Sequence, residues 1–217
     1  MKIMILGATG NVGSRVLAQA AEAGHDVVAY ARTAAAVSPR RGVRVVEGTA
    51  EDSAALGAAA RGVDAILVSI TGSPTDATFM QRALPNVIAA ARQAGVSRLV
   101  LVSAFGAGDT AAKASGFARL IYRGVLRRFF TDKAAADQLM ESSGLDWTIV
   151  YPVNLKAAPA LAAGPVVKPL EQIGRVPGLP TMPFDDAARA LLAVVTDPST
   201  VGERLVVTTP RGWTSAE

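Results

Sequence analysis

The stretch G-A-T-G-N-V-G, Gly7 to Gly13, constrains this chain more than any other feature, because of where it lies. Before it runs K-I-M-I-L, Lys2–Leu6, a short apolar segment stopped by glycine, as expected of a buried parallel strand. After it, Asn11–Ala23 is rich in helix formers and closes at Gly24. Gly7 permits a tight turn out of the strand, and Gly10 lets backbone approach a diphosphate. Gly13 lets the helix pack against the strand, so that the helix N-terminus faces the phosphates. In this strand–turn–helix setting the motif predicts a dinucleotide-binding loop, with Ala8, Thr9, Asn11 and Val12 completing it.

The rest of the chain repeats the alternation. Asp26–Ala31, Val43–Glu47, Ala65–Ile70 and Arg98–Val102 read as strands, with helices over Ser53–Ala60 and Thr78–Ala94 between them. Ala107–Ser115 reads as a loop and Phe117–Phe130 as an amphipathic helix. Thr131 is expected to cap a further helix that ends near Gly144. Asp146–Val150 is a sixth strand broken by Tyr151-Pro152, Asp185–Thr196 a late helix and Leu205–Thr208 a late strand. This pattern predicts an α/β, doubly wound parallel sheet of Rossmann type in a single domain. Residues 152–184, rich in Pro, Gly and Ala, form a loop-rich substrate side.

Composition removes several chemistries. Across 217 residues there is no cysteine and one histidine, His25. Disulfides, thiol nucleophiles, Ser-His-Asp hydrolysis and His- or Cys-based metal sites are therefore not expected. The net charge of +4 is spread among acids and apolar residues without a basic tail. That suits an anionic dinucleotide and gives no nucleic-acid signature. No apolar run reaches the roughly 18–20 residues that a bilayer span needs, and no signal segment precedes the first strand. A cytoplasmic protein with a small-molecule substrate, monomeric or homodimeric, is the expectation.

The second strand sorts the cofactor. NAD-binding folds place an acid at its end to hold the ribose 2′-hydroxyl. Here the strand runs into Tyr30-Ala31-Arg32-Thr33, with no acid between Val27 and Glu47. Arg32 can make charge-assisted bonds to a 2′-phosphate and Thr33 can add a hydroxyl, which predicts NADPH over NADH. The plainer reading of Arg32 is an ordinary surface arginine.

Taken together, G-A-T-G-N-V-G, L-V-L-V-S-A-F-G (99–106) and S-G-L-D-W-T-I-V-Y-P (143–152) resemble the atypical short-chain dehydrogenases/reductases. Within them the nearest group is the NAD(P)H-binding, NmrA-like proteins, including relatives of biliverdin reductase B and flavin reductase. The resemblance implies that Ser69, Ile70 and Thr71 border the cofactor and that Ser103 lies near the nicotinamide. It also implies that Pro152, Val153 and Asn154 cover the ring and face the substrate. The chain departs from the pattern at Gly48-Thr49, where the family often has Gly-Asp, and at Tyr151, where it commonly has arginine. The Tyr-x-x-x-Lys pair of typical short-chain dehydrogenases is absent: Ala34, Leu126 and Leu155 follow Tyr30, Tyr122 and Tyr151 at that spacing.

Ser103 is then the leading polar group beside a reacting atom, either donating to developing negative charge or only positioning the ligand. Tyr151 reads as a pocket wall or a proton donor. Lys133 reads as a ribose contact or a solvated lysine. Arg119, Arg123 and Arg127 make a basic stripe opposite Phe117, Ile121 and Val125. The function expected is NADPH-dependent hydride transfer to a small conjugated or aromatic acceptor of flavin, quinone or enone type. The alternatives are a non-catalytic NmrA-like redox sensor and a non-redox isomerase or cyclase.

Overall fold

The computed structural model describes residues 1–73, 76–124 and 126–216, with the Arg123 side chain also outside the description. Its centre is a sheet in the order β3-β2-β1-β4-β5-β6-β11-β8. The six leading strands are β1 (Lys2–Leu6), β2 (Asp26–Ala31), β3 (Val43–Glu47), β4 (Ala65–Val68), β5 (Arg98–Val102) and β6 (Asp146–Pro152). These pair in parallel, as does β11 (Glu203–Thr208) with β6. Within this sheet β8 (Val166–Pro169) alone runs antiparallel, at the edge on β11. Three short strands, β7 (Leu155–Lys156), β9 (Ile173–Arg175) and β10 (Met182–Pro183), and β12 (Thr214–Ser215) form two small pairs, β10 with β7 and β12 with β9.

The parallel arrangement follows from side chains. β4 and β5 are buried along their whole length, so both faces must be covered by helices. Those helices are α1 (Gly13–Glu22), α2 (Ser53–Ala60), α3 (Phe79–Ala94), α4 (Gly116–Arg123), α5 (Arg127–Glu141) and α6 (Phe184–Thr196). α1 packs with α6, while α3 packs with α2 and α5. Among the described residues no helix is long and apolar enough to cross a membrane. The chain leaves β1 toward β2 and β3, then returns to β4 on β1's other side. The crevice beyond Leu6 and Val68 is thus the switch point at which such sheets bind ligands.

Several expectations need correction. β4 ends at Val68, so Ser69 and Ile70 belong to the loop that follows. Tyr151-Pro152 does not break β6, because β11 pairs with it as far as Val207 opposite Pro152. The proline's missing N–H falls where β5 has already ended, and its carbonyl accepts from Phe105 N at 3.2 Å. The helix expected over Phe117–Phe130 is two helices, divided at Gly124, whose ψ of −108° is not helical. Thr131 therefore caps nothing: it lies inside α5, and its hydroxyl bonds back to Arg127 O at 2.9 Å. The division also changes the inner face of α4. Ala118 is buried and Ile121 and Tyr122 half-buried, whereas Phe117 faces outward at 67% exposure. Val125 and the Arg123 side chain lie outside the described residues.

Candidate cofactor and substrate site

The loop after β1 is fixed by contacts that leave its phosphate-facing side open. Gly7 has φ +83°, and a Cβ there would lie 2.2 Å from Ser69 O; one at Gly13 would lie 2.2 Å from Gly7 O. Both glycines are required by backbone packing. Gly10 differs: the nearest atom to a Cβ there is Gly7 O at 3.3 Å, so its open side faces the crevice. Gly10 N donates to Gly7 O at 2.9 Å. Helix α1 starts at Gly13, and the N–H groups of Asn11, Val12 and Gly13 have no protein acceptor among the described residues. A turn that presents free donors at a helix N-terminus, beside a position a Cβ would fill, fits a dinucleotide pyrophosphate.

Two cavities meet at this loop. One, of about 760 Å³, extends from Gly7, Thr9 and Gly10 past Tyr30 and Arg32 to Thr49 and Arg82. The other, of about 510 Å³, runs from Gly10, Asn11 and Val12 past Ser103 and Lys133 to Pro152, Val153 and Asn154. They share Gly10, Ser69, Ile70 and Thr71, so the two form one continuous crevice. The first lies on the β2 side of the glycine loop and the second on the β5 and β6 side.

In the first cavity Arg32 is exposed and makes no ion pair among the described residues. Its neighbour Thr33 is exposed and does not line the cavity. Glu47, the first acid after Arg32, is turned to the backbone, accepting from Ala34 N at 2.7 Å. The far wall is a clamp absent from the sequence reading: Arg82 Nη2 meets Asp76 Oδ2 at 2.8 Å and Arg82 Nε meets Glu51 Oε1 at 3.1 Å. Hydrogen bonding from Arg82 holds the Asp76 carboxyl down at about 2. Tyr30 supplies the floor, its hydroxyl donating to Thr49 O at 3.0 Å. Gly48 has no side chain because a Cβ would sit 2.1 Å from that hydroxyl oxygen.

The second cavity is walled by Tyr122, Leu126, Phe129, Phe130, Leu179 and Phe184. The Tyr122 and Phe130 rings lie 4.6 Å apart between centroids, tilted at 53°. Gly106, at φ +119°, makes room for them, since a Cβ there would come within 2.8 Å of both rings. Ser103, at the end of β5, is 4% exposed and lines this cavity. Lys133 is not solvated. Also 4% exposed, it donates from Nζ to Ile70 O and Val102 O, each at 3.0 Å, tying the loop after β4 to the end of β5. Burial lowers its pKa to about 8, against the favourable charges of Asp137 and Asp132. Ala8 is buried beneath the loop, outside both linings.

Tyr151 is fully buried and lines neither cavity. Its hydroxyl accepts from Arg204 Nε at 3.2 Å and lies beside Asp137, and burial drives its pKa far up. Asp137 and Arg204 were not among the residues that the sequence singled out. Asp137 is 5% exposed, and burial raises its carboxyl to about 6 despite the nearby Ser103 and Tyr151 hydroxyls.

The chain matches the model of the NAD(P)H-binding family over residues 7–198. It is 32% identical to the (4-alkanoyl-5-oxo-2,5-dihydrofuran-3-yl)methyl phosphate reductase of Streptomyces griseus, over 99% of this chain and 70% of that protein. It is 27% identical to the uncharacterized sugar epimerase YhfK of Bacillus subtilis, over 92% of this chain and 90% of that protein. Among solved structures, ChuY of Escherichia coli O157:H7, described as an anaerobillin reductase, superposes with a TM-score of 0.78. The identity is 25%, covering 97% of this chain and 98% of that one. The glycine loop, the sheet order and these matches agree: the chain belongs to the NAD(P)H-binding family.

Proposed function

We propose that this protein is an NADPH-dependent reductase that passes hydride to a small conjugated or aromatic acceptor of flavin, quinone or enone type. The observation that carries this reading is the aromatic-walled cavity of about 510 Å³, continuous at Gly10 and Ser69–Thr71 with the dinucleotide crevice. Bound across both cavities, the cofactor would supply hydride from C4 of its nicotinamide. The chain's own part is to orient the two reactants and keep water out. Asn11 and Val12 N–H groups would hold the pyrophosphate and Arg32 the 2′-phosphate, while Pro152, Val153 and Asn154 would flank the ring. Flat walls such as Tyr122 and Phe130 suit a planar acceptor. The reductase names of the Streptomyces and Escherichia relatives support hydride chemistry. The Bacillus relative is named for sugar epimerisation, but a cavity walled mainly by aromatic and aliphatic side chains suits a sugar poorly.

The test is NADPH oxidation against a panel of flavins, quinones and enones. Saturable consumption with at least one class is expected. NADPH bound tightly with no acceptor reduced would favour the sensor reading instead, and product formed without net NADPH oxidation would favour an isomerase.

A further inference from the structure

Behind the substrate cavity lies a polar cluster in an otherwise apolar core. Ser103 at the end of β5, Asp137 on α5 and Tyr151 on β6 are each at most 5% exposed. Ser103 Oγ and Asp137 Oδ1 are both buried without a hydrogen bond of ordinary geometry. A buried polar atom left so is destabilising and calls for an explanation. Of the three residues, Ser103 alone lines the cavity, and the other two stand behind it. On the far side of the cluster Arg204 Nε reaches the Tyr151 hydroxyl, and the Arg204 side chain, 26% exposed, also pairs with Asp109 and Glu141. The cluster therefore reaches the cavity through Ser103 alone, with Tyr151 and Arg204 on its far side.

We propose that Asp137 is the acid behind Ser103: the Ser103 hydroxyl gives its proton to the acceptor as hydride arrives, and the Asp137 carboxyl gives its own to Ser103. The proposal rests on the reductase reading. With an enone, the C–H bond broken in the nicotinamide carries its electron pair to the β-carbon, and the π electrons move to the carbonyl oxygen. That oxygen takes the Ser103 proton, Ser103 Oγ takes the proton of Asp137, and once product has left, water in the cavity returns a proton through Ser103 to the carboxylate. Burial suits the acid role, since it raises the carboxyl to about 6, near neutrality. The charged groups acting on it are Lys133 on the same helix and Arg204 on β11. Both favour the anion, as do the Ser103 and Tyr151 hydroxyls, and desolvation outweighs them all.

The test pairs Asp137→Asn, close in shape but unable to ionise, with two acceptors. An enone must gain a proton, whereas N-methylphenazinium, already cationic, takes hydride without one. In Asp137→Asn we expect enone turnover to fall on the order of 100-fold and the protein-dependent part of phenazinium reduction, above its direct reaction with NADPH, to persist. The wild-type fall in enone kcat as pH rises through about 6 should also vanish. A readout independent of turnover is the titration of 13C-carboxyl aspartate by NMR. One carboxyl should titrate near 6 in the wild type and disappear in Asp137→Asn. In Ser103→Ala it should move upward, because the lost hydroxyl favours the anion. Enone turnover and pH profile unchanged in Asp137→Asn would overturn the proposal alone, as would an Asp137 titration indifferent to Ser103→Ala. No protein-dependent turnover with any acceptor, phenazinium included, would overturn the reductase reading and this proposal with it.

Discussion

Gly10 and Gly13 share a turn but are glycine for different reasons. A Cβ at Gly13 would meet backbone at 2.2 Å, so a side chain there is opposed by folding itself. At Gly10 the closest approach is 3.3 Å and the free direction is the crevice. Gly10→Val should therefore leave the far-UV spectrum and melting behaviour near wild type while abolishing NADPH binding, because the new side chain takes the pyrophosphate's space. A folded variant with unchanged calorimetric affinity would refute the assignment of this loop. Arg32 answers a different question, that of cofactor choice. It is exposed, makes no ion pair among the described residues and borders the cavity on the β2 side, while Glu47 is occupied by Ala34 N. Charge-assisted bonds to a 2′-phosphate contribute about 1.5–3 kcal/mol, so NADPH should bind about ten- to a hundredfold tighter than NADH. Arg32→Ala should remove most of that preference by weakening NADPH alone, and added salt should shrink it. Equal wild-type affinities at low ionic strength would show that another group reads the ribose.

At the scale of elements, α3 and α5 are joined by a cap that neither carries alone. The Thr78 side chain, engaged with Asp76 and Arg82, caps no backbone N–H of α3. Instead Asp132 on α5, 4% exposed, accepts from Met80 N at 2.9 Å and Gln81 N at 3.4 Å. Removing a cap costs about 0.5–2 kcal/mol, and burial places this one at the upper end. Asp132→Ala should lower the denaturation midpoint accordingly, and Asp132→Asn, which keeps one acceptor oxygen, should lose less. An alanine variant as stable as the wild type would deny the cap its role. Such a contact joins residues 52 apart in sequence and leaves no local signal. The strands were legible for the opposite reason: β1, β2 and β5 are short apolar runs buried on both faces, and Gly7 and Gly48 stop β1 and β3, so these segments announce their own bounds. The split at Gly124 was not legible, because the apolar period runs across it and only the backbone angle interrupts it. The same contrast divides the site. The glycine loop is a local backbone device and could be read directly. Ser103, Asp137, Tyr151 and Arg204 meet only after four elements have packed. The one available hint was Lys133 and Asp137 at helical i, i+4 spacing, which puts both on one face of α5.

For the molecule as a whole, the Asp137 cluster opposes folding near neutrality. Burial raises the Asp137 pKa from 3.8 to about 6. A carboxyl raised in this way contributes stability below its unfolded value and loses it as pH climbs through the folded one. The shift corresponds to about 3 kcal/mol at most, lost between about pH 4 and pH 6. Lys133 limits what its removal can return. Its lowered pKa means that its ammonium is penalised below about pH 8, and Asp137 and Asp132 offset that penalty. Asp137→Asn takes away one of the two anions, so the net gain at neutral pH should be smaller, on the order of 1 kcal/mol. Other carboxyls whose pKa values are lowered, Asp76, Asp109 and Asp197, titrate alike in both proteins and cancel in the comparison. The melting temperature of Asp137→Asn minus that of the wild type should therefore increase from about pH 4 to pH 7, as calorimetry across that range would show. The variant would be the more stable protein at neutral pH and the poorer enone reductase, which is the pattern of a buried acid retained for chemistry. A difference constant across the range would mean that Asp137 has an ordinary pKa. Its burial would then carry no proton to Ser103.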